Sequence, residues 1–121
     1  MNGLVSLGAS EIRRRVAARE VSCEEVVRAH LDRIAAVEPA VDAFLLVATD
    51  RALDRARRLD ASLATGAPAP PLAGVPVAIK DVLHVEGLVH GVRRQHAQRH
   101  LDEAHSSHAR FLMFIRNEDC A

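Results

Sequence analysis

A single lysine stands among fifteen arginines in this chain of 121 residues, and it sits near the end of the run "LAGVPVAIKDV", Leu72 to Val82. A desolvated lysine gives up its proton more readily and can then accept one as a neutral amine, which an arginine cannot do. The alternative for Lys80 is an ordinary strand-end lysine that reaches water along its flexible stem, with Asp81 capping the next turn. Two other groupings have residue types capable of chemistry. His96, His100 and Glu103 would share one face of a helix, as ligands of Zn²⁺ or Ni²⁺ do, and His105 and His108 repeat the idea. The adjacent Ser106 and Ser107 in "AHSSHAR" invite comparison with a nucleophile, but no glycine flanks them to bring backbone donors to a substrate. They are expected to be loop or helix-cap residues. A His-rich stretch with no distinct outer shell of partners holds metal adventitiously, so neither a resident metal nor a cofactor is expected.

The elements that would position Lys80 follow from capping and periodicity. Ser10 is read as the N-cap of a short helix carrying Ile12 and Val16 on one face. In "VSCEEVVRAHLDRIAAVEP", Ser22 and Glu25 form a capping box, Val27, Leu31 and Ile34 recur at helical spacing, and Pro39 is read as the end. Val41 to Val47 is apolar and partly β-branched, a short strand or buried connector. A third helix runs from Thr49 or Asp50 through Leu63, with Gly66 at its C-terminal end. "GAPAPP" is a stiff loop. Beyond it Val75, Val77 and Ile79 alternate with Pro76, Ala78 and Lys80, so a strand puts Lys80 on the small-residue face and Pro76 at its first position.

Length and charge exclude several functions. One modest domain is expected, burying about two-thirds of its unfolded surface. Sixteen basic and sixteen acidic residues cancel and interleave, which leaves no footprint for nucleic acid or an anionic membrane. The longest apolar run, "AFLLVA", is too short to span a bilayer, and the first residues do not read as a signal peptide; a cytoplasmic protein is expected. Cys23 and Cys120 are unpaired in spacing and are read as free thiols. His30 is expected to be packed or hydrogen-bonded on its helix, and Arg13 to Arg15 to form a solvated edge.

"LAGVPVAIKDVLHVEGL", Leu72 to Leu88, resembles the amidase signature family, whose members carry L-x-G-x-P-x-x-x-K-D followed shortly by a glycine. "GASEIRRRVAAREVSCEEVVRAHLDRIAAVEPAVDAFLLV" resembles the amino-terminal helices of the same enzymes. The resemblance covers about residues 4 to 88. It implies an α/β fold, here the amino-terminal fragment of the amidase signature fold, with helices followed by strands of a mixed sheet, and incomplete. It also implies amide hydrolysis or glutamine-dependent amidotransfer by a Ser, cis-Ser, Lys triad, with Lys80 as the triad lysine and a small amide as substrate. In members that are amidotransferase subunits, partner subunits supply the ATP and tRNA steps. The physical logic is that a nucleophilic serine needs a base, and a desolvated lysine serves through the bridging serine hydroxyl.

The family's serines follow the lysine in a Thr-Thr-x-Gly-Ser stretch and a Gly/Ser-rich signature. This chain instead reads "VHGVRRQHAQRHLDEAHSSHARFLMFIRNEDCA". Residues 1–88 are therefore read as the amino-terminal part of an amidase domain and 89–121 as a divergent His/Arg-rich tail, solvated or disordered, on a truncated chain inactive by itself. The competing reading is a noncatalytic module that binds a partner or a metal. Truncation also implies that the strand carrying Val75, Val77 and Ile79 lacks neighbours and leaves its edges unpaired.

Overall fold

The computed structural model describes residues 3–80 and 111–115. A turn of 3₁₀ helix, Gly3–Ser6, leads into α1, Ala9–Ala17. Gly8, not Ser10, is the N-cap: its extended backbone turns its carbonyl toward the N–H groups of Glu11 and Ile12, at 3.1 and 3.0 Å, and Ser10 lies inside the first turn. Glycine is an acceptable cap, so a serine two residues later is not needed. The helix closes on Arg19, at φ 58°, with Arg19 N–H donating to the Val16 carbonyl and Glu20 N–H to that of Arg15. These two bonds form the left-handed closure that usually takes glycine.

Helix α2, Cys23–Val41, starts with the expected capping box: Ser22 Oγ accepts from Glu25 N–H at 3.1 Å, and a Glu25 carboxylate oxygen accepts from Ser22 N–H at 2.8 Å. The helix outruns Pro39 by two residues. A proline forfeits its own N–H and disfavours the helical bond to residue i−4, but Asp42 adopts the left-handed conformation and its N–H still closes on the Glu38 carbonyl at 2.8 Å. The Glu38 side chain then receives Phe44 N–H at 2.6 Å and so sets the start of β1, Phe44–Val47. Helix α3, Thr49–Ala64, ends at Thr65 with Gly66 at φ 86°, in agreement with the spacing.

One side chain ties α3 to the start of α2. Asp60 accepts from the N–H groups of Cys23, at 2.8 Å, and Glu24, at 3.0 Å. With the capping box, every N–H of the first turn of α2 has a partner, half of them from 36 or 37 residues away in sequence. Charge-assisted bonds at a helix N-terminus also gain from the helix dipole. Asp60→Ala is expected to cost about 2 kcal/mol, and Asp60→Asn about half of that, because the amide keeps one acceptor. Urea unfolding midpoints of the two variants check this.

The core lies where α1, α2 and α3 meet the loop before the second strand: Ile12, Val16, Cys23, Val26, Val27, Ala52, Ala56, Leu59, Ala73 and Val75. Burial first, and then the Asp60 carboxylate, pushes the Cys23 thiol well above the ordinary range, so it packs as a small neutral side chain. Strand β2, Pro76–Lys80, begins at proline as expected, and β3, Phe111–Ile115, lies between the others in the order β1-β3-β2. It runs parallel to β1 and antiparallel to β2, with Pro76 opposite Ile115 and Lys80 opposite Phe111. The expected loss of neighbours therefore fails on one side of β2. Five residues of the stretch read as a solvated tail supply the middle strand of a mixed sheet.

Acid should weaken this fold through α1. Hydrogen bonds from Arg14, then Arg15, hold the Glu11 carboxyl down at about 2, against an ordinary 4.5. Arg14 lowers Glu20 in the same way, and Glu24 is lowered by Arg57 and then Arg28. A carboxylate with a depressed folded value contributes stability above its unfolded value and loses it as pH falls through the folded one. The Glu11 contribution is thus present above about 4.5 and disappears toward about 2. The group is exposed, so salt screens the effect. Urea midpoints should fall on acidification across this window, and by less in Glu11→Gln.

Candidate functional site

Lys80 closes β2, and the strand positions it as the alternation requires. Val77 and Ile79 are half-buried while Ala78 and Lys80 are exposed, so the lysine occupies the small-residue face. The approach to the strand is fixed by Gly74, at φ 73°, whose missing side chain lets the loop press against Val16 and Cys23. A Cβ there would stand 2.8 Å from Val16 Cγ2 and 3.3 Å from Cys23 Sγ. Gly74, Pro76 and Lys80 thus have separate physical duties: close approach of backbone to core, the first position of a strand that needs no donor there, and a side chain delivered at the strand's end.

Among the described residues the Lys80 side chain makes no hydrogen bond and no ion pair, and it is exposed. Asp81, the serines Ser106 and Ser107, and the grouping of His96, His100, Glu103, His105 and His108 lie outside the described residues. Among the described residues no cluster of His, Cys, Asp or Glu could hold a metal ion.

An open cleft of about 210 Å³ lies between the end of α1, the start of α2 and the end of α3, lined by Val16, Arg19, Ser22, Glu25, Asp60 and Leu63. Its polar groups are already engaged in holding the helices. Glu25 accepts from Ser22, Asp60 from Cys23 and Glu24, and Arg19 donates to the Leu63 carbonyl at 3.1 Å. It is a seam of the helical layer. Asp60 itself is the residue that sequence reasoning missed, since its partners are distant along the chain. His30, by contrast, behaves as expected, with Nδ1 2.8 Å from the Val26 carbonyl one turn back. No described helix is long and apolar enough to cross a membrane.

The chain is 58% identical over 88 residues to a glutamyl-tRNA(Gln) amidotransferase subunit from Acidothermus cellulolyticus, covering 73% of this chain and 17% of the relative. The protein of the same name from Salinispora arenicola is 56% identical over 88 residues, with 73% and 18% covered. Among solved structures, a chain of the inhibitor-bound form of a vestigial protein complex, described as revealing the evolutionary origins of an s-triazine catabolic enzyme, superposes with a TM-score of 0.71 at 26% identity. That match covers 89% of this chain and 25% of the other. The present chain therefore spans about one-sixth of the length of the curated relatives it matches. The amidase family model matches residues 25–112, which takes in α2, α3, the Gly74 turn, the strand that ends at Lys80 and ground beyond residue 88. Since that span is most of the sequence, and the glycine, proline and lysine in it have the structural duties just described, the chain belongs to the amidase family.

Proposed function

We propose that these residues form the amino-terminal part of an amidase catalytic domain, that Lys80 is the base of its Ser, cis-Ser, Lys triad, and that the 121 residues alone turn over no amide. One observation supports this most: a family-matched strand delivers its only titratable amine at its last residue, on a face left open for other groups. The substrate would be a small carboxamide or glutamine, and the setting the cytoplasm. Because the relatives carry the name of an amidotransferase subunit, amide transfer to a bound acceptor with partner subunits is the finer form of the reading. The two serines would come from the part of the domain that this chain does not match.

Ammonia release from glutamine and from simple carboxamides is the test. The isolated chain should show none above background, and a rate that disappears in Lys80→Ala would overturn the proposal. The exposure of Lys80 favours a second reading, a noncatalytic module that binds a partner. The two part company in a chain extended by the serine-bearing portion of a relative: the catalytic reading expects Lys80-dependent turnover there, and the binding reading expects none.

A further inference from the structure

The connector between α3 and β2 has little of its own to hold it in place. Its run "GAPAPP" contains Pro68, Pro70 and Pro71, which have no N–H to donate. Within residues 67–75 the backbone bonds are those from Ala73 to the Pro70 carbonyl and from Val75 to that of Leu72, each 3.1 Å. The rest of the hold comes from α1. Arg19 Nη1 donates at 3.1 Å to the Leu63 carbonyl, which also takes Gly66 N–H where the connector begins. Arg13 Nη2 reaches the Ala69 carbonyl midway, at 3.5 Å, and at the far end Gly74 presses on Val16. The choice of residue at position 19 agrees with this duty. Its φ of 58° suits glycine, but glycine would bring no side chain to Leu63.

The clamping helix is itself weakly built. Nine residues are too few for a helix to persist alone in water, so α1 stays in place through Ile12 and Val16 in the core. Helices α2 and α3 are fastened to each other without it. Asp60 caps α2, Glu24 pairs with Arg57 at 3.0 Å, and Val26 and Val27 share the core with Ala52, Ala56 and Leu59. Segments with few ties of their own open below the global unfolding free energy, and gating elements are drawn from them. We propose that α1 is a releasable clamp: α1 and the connector, residues 65–75, open together as one cooperative unit while α2 and the body of α3 stay folded. Release frees the lead-in to the strand that ends at Lys80. The device is independent of the role of Lys80.

Amide hydrogen exchange of the full 121-residue chain, followed by mass spectrometry in urea below the unfolding transition, is the test. Amides of α1 and of the connector are expected to share one opening rate, faster than that of Val26, Val27 and Ala56. Arg19→Ala should speed exchange in α1 and in the connector alike by about ten-fold, the effect of losing one charge-assisted bond, and leave the interior of α2 and α3 unchanged. Ile12→Ala, which loosens α1 from the core, should produce the same pattern. Should that variant fail to fold, Arg19→Ala, a change at an exposed side chain, decides alone. Equal acceleration throughout α2 and α3 would overturn the proposal, because the bond would then serve only global stability. Acceleration in α1 with the connector unchanged, or no acceleration in Arg19→Ala, would also overturn it.

Discussion

Gly74→Ala should lower the unfolding free energy by about 3 kcal/mol, a large fraction of what a domain of this size can spare. Two costs add. The residue sits at φ 73°, where an L side chain is disfavoured by about 1 to 2 kcal/mol. The new Cβ would also stand 2.8 Å from Val16 Cγ2, beside a Cys23 sulfur at 3.3 Å, in the fully buried centre of the core. Gly66 provides the contrast, because its φ is 86° and nothing lies within 4 Å of its would-be Cβ. Gly66→Ala should therefore show only the backbone cost, about 1 kcal/mol. Val16→Ala removes the clashing methyl, so in the double variant the cost of Gly74→Ala should shrink toward that of Gly66→Ala. Chemical denaturation of the four variants closes the cycle. Equal effects at Gly74 and Gly66 would show that the loop gives way and that the contact with Val16 is not a constraint.

The same comparison shows which parts of this fold can be read from the chain alone. The Ser22–Glu25 capping box and the extent of α3 depend on residues within one or two turns of each other, and both are where the spacing puts them. The alternation from Val75 to Lys80 likewise fixes the face on which the lysine lies. Boundaries set by backbone geometry are harder to read. Gly8 displaces Ser10 as a cap, and a left-handed Asp42 lets α2 run past Pro39. Features that depend on distant pairing leave no local signal. Nothing near Asp60 marks it as the second cap of α2, and "FLMFI" shows no alternation to say that it would run parallel to one strand and antiparallel to another. The candidate site divides in the same way. The position of Lys80 is legible, but the groups that would surround it are distant in sequence and leave no local signal.

That division sets up the second large effect. In a chain completed by the serine-bearing part of the family, Lys80→Ala should lower kcat by about a thousand-fold, within the range for losing a positioned proton acceptor. Lys80→Arg should fare no better, because a guanidinium keeps its charge and cannot take the serine's proton through the bridging hydroxyl. Neither change should move the melting temperature of the 121-residue chain, since the Lys80 side chain is exposed and makes no bond among the described residues. Lys80 and Gly74 are only six residues apart in one motif, yet they should separate cleanly: one substitution removes stability and the other removes only turnover. The decisive measurement is kcat and melting temperature on the same Lys80→Arg sample. If arginine restores turnover, the site needs a positive charge to hold substrate or an oxyanion, and the role of base passes to another group. If arginine is as inactive as alanine while the fold is intact, the lone lysine among fifteen arginines is there because its amine can lose a proton.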